Sequence, residues 1–334
     1  MERVRVKKIE IINFKGIEHL ELDFTYIDSD RILDNIVFYG INGSGKSTVL
    51  EALFIILSIT ALSPLKVNCK DIEEVFREKY SLSNDWIYNN NKEFLIKLQL
   101  LDNNTLIKIQ VTYHKDNGLS YFLENNQTVS DYMETLPIEY LSAYRLFTPT
   151  KVSTAGDWKQ IKNIEDERFN KESHILALQF FNDYNTIKQY LINLITDKQV
   201  GVISDINSKI LEKIKQSFKI FFPNKIFLEK LARSEMNQDY KFLIQNEDGT
   251  VVDIDQLSSG EREIIAFFTY LCTKAMNVSI LIIDEPELHL HDKWQSILLY
   301  AIHKLFPDVQ LFLATHSETI HQSVSESELF ELVK

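Results

Sequence analysis

Asn35-Ile-Val-Phe-Tyr39 leads into Gly40-Ile-Asn-Gly-Ser-Gly-Lys-Ser47, and Thr48-Val-Leu-Glu-Ala-Leu-Phe-Ile-Ile-Leu57 follows. The order is an apolar strand-like run, a glycine-rich loop and a helix-compatible run. Its loop has the full G-x-x-x-x-G-K-[ST] spacing of a P-loop. Gly40, Gly43 and Gly45 let the backbone turn tightly and aim successive N–H groups at phosphate oxygens. The N-terminus of the following helix adds its dipole to the same anion. Lys46 is placed to reach the β- and γ-phosphates, and the Ser47 hydroxyl to bind Mg²⁺. Asn42, Gly43, Ser44, Gly45, Lys46, Ser47 and Thr48 are the expected nucleotide contacts. A glycine-rich turn of no function would not need both flanking elements.

A second apolar run, Asn277-Val-Ser-Ile-Leu-Ile-Ile-Asp-Glu285, reads as a buried parallel strand ending in two carboxylates. Asp284 is placed to hold the Mg²⁺ hydration shell, and Glu285 to orient or deprotonate the attacking water. Pro286-Glu-Leu-His-Leu-His291 turns the chain into a helix over Lys293 to Leu305. A third buried run, Val309-Gln-Leu-Phe-Leu-Ala-Thr315, ends at His316-Ser317, where a histidine can hydrogen-bond the γ-phosphate and report its loss. His289, His291, His316 and His321 lack an accompanying cysteine, and the paired carboxylates explain the strand ends better than a zinc site does.

The chain has 334 residues, 45% of them hydrophobic, which is enough for a large core in one or two domains. A formal net charge of −12 argues against coating nucleic acid over the whole surface, though not against a local basic groove. Cys69 and Cys272 are lone thiols far apart, suited to a reducing compartment. There is no signal-peptide pattern, and Ala52 to Leu62 is too short an apolar run to span a bilayer. The expected location is the cytoplasm, without a membrane partner.

Val4, Val6, Ile9 and Ile11 mark one strand, and Leu20, Leu22 and Phe24 a second, with Asn13-Phe-Lys-Gly16 as the turn. We expect this pair as an antiparallel flank beside the P-loop strand. From spacing alone, Lys15 fits an exposed turn lysine better than a nucleotide contact. Asp71 to Tyr80 suggests a short polar helix. Glu93–Leu101 and Thr105–Tyr113 read as a hairpin about Asp102-Asn-Asn104, and Ile138-Glu-Tyr-Leu-Ser142 as a buried strand. Thr148 to Arg168 is a polar linker candidate. Ile175, Leu178, Phe181, Ile187, Leu191 and Leu194 carry helical spacing without a coiled-coil heptad.

Lys209 to Lys241 holds eight Lys/Arg against four Asp/Glu, interleaved with Phe218, Phe221, Phe222 and Phe227. Such a stretch can track a nucleic-acid backbone. An amphipathic helix with a solvated lysine face is the plainer reading, and we prefer it. Lys241 to Ile254 is a hairpin turning at Glu247-Asp-Gly249, and it delivers Leu257-Ser-Ser-Gly-Glu261 at the start of a helix. Taken alone, Ser258 would be an ordinary N-cap.

P-loop, LSSGE, an aliphatic strand ending DEPELHLH, and ATHS, in that order, resemble ABC-type ATPase heads. Asn13-Phe-Lys-Gly-Ile17 and Asp284-Glu-Pro-Glu-Leu-His-Leu-His291 are similar to the branch containing RecF, SMC and OLD (overcoming lysogenization defect) ATPases. The resemblance is strong over roughly 1–60 and 240–320. It implies that Ser258 and Gly260 contact the γ-phosphate of ATP held by a second subunit, so that two heads sandwich two ATP molecules. It also implies that Lys15 joins the nucleotide set. A Q-loop glutamine is missing; Tyr140-Leu-Ser-Ala-Tyr-Arg145 occupies its place, with Arg145 or Ser142 as substitutes. Nothing corresponds to a Toprim domain, a long coiled coil or a zinc hook, so a bare head is expected.

The expected fold is α/β: a P-loop ABC-ATPase-like core over 1–60 and 236–334, a mixed β-rich subdomain over 61–150 and a helical insert over 151–235. The expected function is Mg-ATP hydrolysis, with catalytic Glu285, His316 and Lys46 and metal-binding Ser47 and Asp284. Head pairing into a dimer or larger homo-oligomer would switch a separate effector, a nuclease or toxin, or DNA, in antiphage defence or DNA repair. The alternative is the nucleotide-binding subunit of a membrane transporter, against which the absence of SALD after the DEP speaks. A P-loop GTPase would need N-K-x-D, and Asn224-Lys-Ile-Phe227 lacks the Asp.

Overall fold

A computed structural model describes residues 4–62, 70, 73–74, 77, 82–102, 105–124, 138–141, 184–233, 240–274, 278–288 and 290–333. The chain forms two compact units, residues 1–143 with 278–286 and 308–334, and residues 144–277 with 287–307. These boundaries differ from the three segments drawn from the sequence.

In the first unit, β1 (Val4–Phe14), β2 (Ile17–Asp23), β4 (Glu93–Asp102), β5 (Thr105–His114) and β6 (Gly118–Leu123) make one antiparallel sheet, ordered β2-β1-β4-β5-β6. Strict alternation drives it. Phe94, Ile96, Leu98 and Leu100 of β4 and Ile107, Ile109, Val111 and Tyr113 of β5 are buried, while their neighbours face outward or are half-buried. A second sheet is parallel, ordered β13-β3-β12-β11-β7, from β3 (Asn35–Tyr39), β7 (Ile138–Leu141), β11 (Ile280–Asp284), β12 (Gln310–Ala314) and β13 (Leu329–Glu331). Every residue of β11 and β12 is buried, as in strands covered on both faces.

Two expectations change here. β1 and β2 do not flank the P-loop strand but sit in the other sheet, because β1 takes β4 as its second partner. The 61–150 segment is likewise shared, with β4 to β6 pairing with β1 while β7 lies beside β11 in the parallel sheet. Helix α1 (Lys46–Leu62) lies between the sheets, against β7, β11 and β12 on one side and β1, β4 and β5 on the other. That is why Leu50, Leu53, Phe54, Ile56, Leu57 and Ile59, spread all round the helix, are all buried. Phe24 joins the layers further, edge-to-face with Phe38, Phe312 and Phe330 at 6.3, 5.3 and 5.4 Å between ring centres.

The second unit contains α2 (Tyr184–Gln199), α3 (Asp205–Phe221), the sheet β10-β9-β8 from β8 (Ile226–Arg233), β9 (Tyr240–Gln245) and β10 (Val251–Asp253), then α4 (Ser259–Lys274) and α5 (Asp292–Leu305). The segment expected as all-helical thus ends in a strand, β8, which pairs with the predicted hairpin. Helix α3 packs against α4 and α5. Ser204 caps α3 by accepting from Asn207 N–H at 3.2 Å, and His291 caps α5 through Nδ1 from Lys293 N–H at 3.3 Å. The linker over 148–168, the Ile175–Phe181 helix, Ser142, Arg145, Cys69 and His289 lie outside the described residues, as does most of Asp71–Tyr80.

Candidate nucleotide site

Register across the parallel sheet brings the motifs together. Asp284 stands opposite Ala314, and Ala314 opposite Phe38. The residues that follow these three therefore leave the sheet along one edge: Glu285 from β11, Thr315 and His316 from β12, Tyr39 and the P-loop from β3. Strands in a sheet are about 4.8 Å apart, so the Asp284 strand lies roughly 10 Å from the P-loop strand, with the His316 strand between them. Ligands of open α/β sheets bind at this carboxyl edge. Glu285 N–H donates to Ala314 O at 2.8 Å and Thr315 N–H to Phe38 O at 3.0 Å, which locks the edge.

The loop itself has the backbone its glycines imply. Gly40, Gly43 and Gly45 have φ of 142°, 77° and 99°. A Cβ on Gly40 would lie 2.5 Å from Leu332 O, because β13 runs alongside β3. Lys46 is buried, its Nζ donating to Gly40 O at 3.0 Å and Ile41 O at 3.1 Å. The Ser44 hydroxyl is buried within the loop and has no hydrogen-bond partner. Asn42 and Ser47 are exposed and Thr48 is half-buried at the start of α1. An orphaned hydroxyl, a lysine looped over carbonyls and three left-handed glycines fit a polyphosphate. Asp284, 5% exposed at its strand end, and the exposed Ser47 are the hard oxygen donors that suit Mg²⁺.

Glu285 has φ of 48°, a left-handed conformation that non-glycine residues seldom adopt. Strain of that kind falls at the residue directly after the buried Asp284, where β11 ends. His316 is exposed beyond β12, and Ser317 caps the short helix α6 (Glu318–His321) through Ile320 N–H at 3.1 Å. His321 packs edge-on against Tyr39 at 4.6 Å between ring centres, and His291 is a helix cap, so each has a local structural role.

Lys15 is not a loosely solvated turn residue. Its Nζ lies 2.6 Å from Glu51 Oε2, one turn beyond Ser47 on α1. Glu51 belongs to no motif, and its position four residues after Ser47 is the one signal that marks it. The three residues of β13 carry no pattern of their own.

In the second unit Ser258 is exposed at the entrance of α4, with Gly260 half-exposed. Glu261 Oε2 accepts from Ser258 N–H at 2.9 Å and from its hydroxyl at 2.8 Å, and Lys225 Nζ lies 2.6 Å from Glu261 Oε1. Burial works against the Glu261 charge, yet Lys225 and the Ser258 donors outweigh it and hold the carboxyl below its ordinary value. The basic, aromatic stretch is core rather than groove. Phe218, Phe221 and Phe222 are buried, and Phe227 stacks edge-on against Phe242 at 4.7 Å. Lys215 bridges Glu212 and Glu229, and Lys213 donates to the Leu305 carbonyl.

Residues 93–320 match the family described as "AAA domain, putative AbiEii toxin, Type IV TA system". The chain belongs to this AAA-domain family. It is thus an ATPase of the AAA/ABC-like type, and its fold is one that uses nucleotide. The match begins after the P-loop, whose assignment rests on its own residues and backbone. The AAA domain is 23% identical to the Septu protein PtuA of Bacillus mycoides (strain KBAB4), over 98% of this chain and 40% of that protein. It is 21% identical to the Retron Vc95 probable ATPase of Vibrio cholerae serotype O1 biovar El Tor, over 98% of this chain and 73% of the relative. The chain thus spans well under half of the Bacillus protein and about three quarters of the Vibrio one. In fold it is similar to the Smc head domain with an extended coiled coil bound to the C-terminal domain of ScpA, derived from Pyrococcus furiosus. There the TM-score is 0.54 and the identity 14%, over 98% of this chain and 93% of that one. Among the described residues no helix is long and apolar enough to cross a membrane.

Proposed function

We propose that this AAA domain hydrolyses Mg-ATP at the carboxyl edge of its parallel sheet, and that two copies pair head-to-head over two ATP molecules. The observation that carries this reading is the register Asp284–Ala314–Phe38, which sends the acidic pair, His316 and the P-loop out of one edge. Lys46 neutralises charge on the β- and γ-phosphates, which the P-loop N–H groups orient. Ser47 and Asp284 would hold Mg²⁺, which would supply neutralisation of phosphate charge. Glu285 accepts the proton of the water that attacks the γ-phosphorus, while the β-phosphate oxygen leaves with ADP. His316 hydrogen-bonds the γ-phosphate, and its loss on hydrolysis releases the contact. Lys15 completes the set on the side of α1.

Exposed Ser258 and half-exposed Gly260 are small residues at a helix N-terminus, suited to the γ-phosphate of the second copy once it replaces Glu261 as the acceptor of the Ser258 donors. The paired heads act as a switch on a separate effector protein, such as a nuclease or toxin, in the cytoplasm. The retron and Septu relatives and the toxin–antitoxin description of the family favour a defence setting over DNA repair. That the Pyrococcus Smc head is bound to a ScpA domain supports a protein partner. DNA is the less favoured partner, since Phe218, Phe221 and Phe222 are packed inside and Lys215 and Lys225 face carboxylates.

Mixing tests the pairing. Lys46→Ala and Ser258→Arg should each be inactive, the second because a bulky cation cannot sit where a small hydroxyl meets phosphate. A mixed pair has one site with both lesions and one with neither, so combining the two proteins should restore ATPase activity. A cysteine beside Ser258 and one beside Gly43 should crosslink between chains only with ATP; crosslinking within one chain alone would exclude the sandwich.

A further inference from the structure

We infer that Trp86 is a positioning residue for nucleotide binding, holding the Lys15 ammonium beside the P-loop; this rests on the ATP-site reading above. The β1–β2 turn lies directly on the loop, since a Cβ on Gly45 would be 3.7 Å from the Ile17 side chain. Two residues earlier, Lys15 reaches the P-loop helix at Glu51. The turn therefore touches the nucleotide loop and its helix at once.

Trp86 fixes Lys15 in two ways. Its carbonyl accepts the Lys15 N–H at 2.6 Å, and the face of its ring lies 4.4 Å from Nζ. The ring is in turn held edge-on to Phe14, 5.7 Å between centres and 87° between planes. Lys15 Nζ is thereby caught between an indole face, which attracts cations through its quadrupole, and the Glu51 carboxylate.

The backbone around this contact is bent into place on both sides. Asn13, Lys15, Asn89 and Asn90 have φ of 55°, 50°, 47° and 58°, left-handed values carried here by no glycine. Asn91 Nδ2 donates to Asn13 Oδ1 at 2.9 Å, Phe14 bridges to Ile87, and Tyr113 OH donates to Asn84 Oδ1 at 3.2 Å. Asparagine enters this region readily, so Lys15 is the residue whose backbone its surroundings must fix, and such fixed conformations concentrate at ligand sites. A lysine with no task beyond solubility needs none of this. Held at the loop, Lys15 meets an incoming polyphosphate without first losing its rotamer freedom, the ordinary cost of recruiting a lysine. Glu51 is the counter-ion that the phosphates replace.

Calorimetric ATP binding and steady-state ATPase kinetics test this on the full chain with Trp86→Leu, Trp86→Phe, Lys15→Ala and the Lys15→Ala/Trp86→Leu double variant. Trp86→Leu keeps apolar bulk and removes the π face, so ATP affinity should fall about 3- to 30-fold. KM should rise by a similar factor while kcat changes less than about twofold. Trp86→Phe should recover most of the affinity. In the Lys15→Ala background, Trp86→Leu should add nothing. Parent-like affinity of Trp86→Leu, or a full Trp86→Leu penalty without Lys15, would overturn the inference. Lys46→Ala separates the two levels. If it binds ATP normally the site reading itself fails; if it loses ATP while Trp86→Leu does not, only the Trp86 assignment fails.

Discussion

Gln310 completes the hydrogen bonding of Val6 across 304 residues of sequence. Its Oε1 accepts from Val6 N–H at 2.7 Å, and its Nε2 donates to Val6 O at 2.9 Å and Leu33 O at 3.1 Å. Pairing of β2 with β1 ends at Lys8 opposite Asp23, and the β1–β4 register shifts between Val6 and Lys8. One fully buried amide thus takes the place of the missing strand and ties the antiparallel sheet to β12. The strand it starts, β12, ends beside His316, so the same residue anchors the site's middle strand.

Gln310→Leu should therefore cost about 2–4 kcal/mol, because it strands buried backbone groups rather than removing apolar contacts. A fall in the urea midpoint followed by far-UV circular dichroism measures it. A change below about 0.5 kcal/mol would mean the amide is dispensable.

Glu285→Gln should preserve ATP binding and lower turnover by about 10²-fold or more, since an amide of equal size cannot take the water's proton. Phosphate release and calorimetry on the same preparation give both numbers. Near-normal turnover would remove Glu285 as the base and make Glu287 the next candidate.

Gly40→Ala and Gly16→Ala should differ sharply. At Gly40 the φ of 142° and the Leu332 carbonyl 2.5 Å from the new Cβ force β13 to move. We expect a loss of about 1–3 kcal/mol and at least tenfold weaker ATP binding. Gly16 has no atom within 4 Å of a Cβ, and the left-handed residues of its turn are Asn13 and Lys15. Gly16→Ala should leave stability and binding within about twofold.

Lys225 and Glu261 set an acid limb in the second unit. The Glu261 carboxyl titrates below its ordinary 4.5 in the folded chain, so its contribution is fully present above about pH 5. It is lost as pH falls through the lowered folded value. Lys225→Met should make urea stability less steep as pH falls below the ordinary 4.5. The loss at pH 7 should be about 0.5–1 kcal/mol, because Lys225 stays 25% exposed to screening water. Urea midpoints followed by far-UV circular dichroism across that pH range measure this. An unchanged pH profile would show that the pair carries no stability.

Chemistry that depends on neighbours in sequence was legible before any fold was known. The P-loop needs glycine, lysine and serine within eight positions, so Gly40 to Ser47 announces its own backbone, and φ values of 142°, 77° and 99° follow from it. Continuous aliphatic runs likewise announced β11 and β12, since strands buried on both faces have no polar phase. Period-two alternation located β4 and β5 in the same way.

Which strand pairs with which was not written locally, because hydrogen bonds of a ladder are the same for every residue type. Only the fold put β1 beside β4, moved β7 into the parallel sheet and laid β13 against β3. It also decided what ambiguous side chains do. By composition the phenylalanines of 209–241 could line a base-stacking surface, though an amphipathic helix is the plainer reading, and burial puts Phe218, Phe221 and Phe222 in the core. By spacing alone Lys15 fits a solvated turn better than a nucleotide contact, and only the fold sets it against Trp86 and Glu51. Trp86 stands about seventy residues further along, outside the span of any local motif. The sequence by itself determined the groups proposed to bind phosphate and activate water, because short-range geometry suffices for a loop or a strand end. Tertiary structure alone decided how those groups are held, because the holding contacts join segments that meet only when the sheets pack on α1.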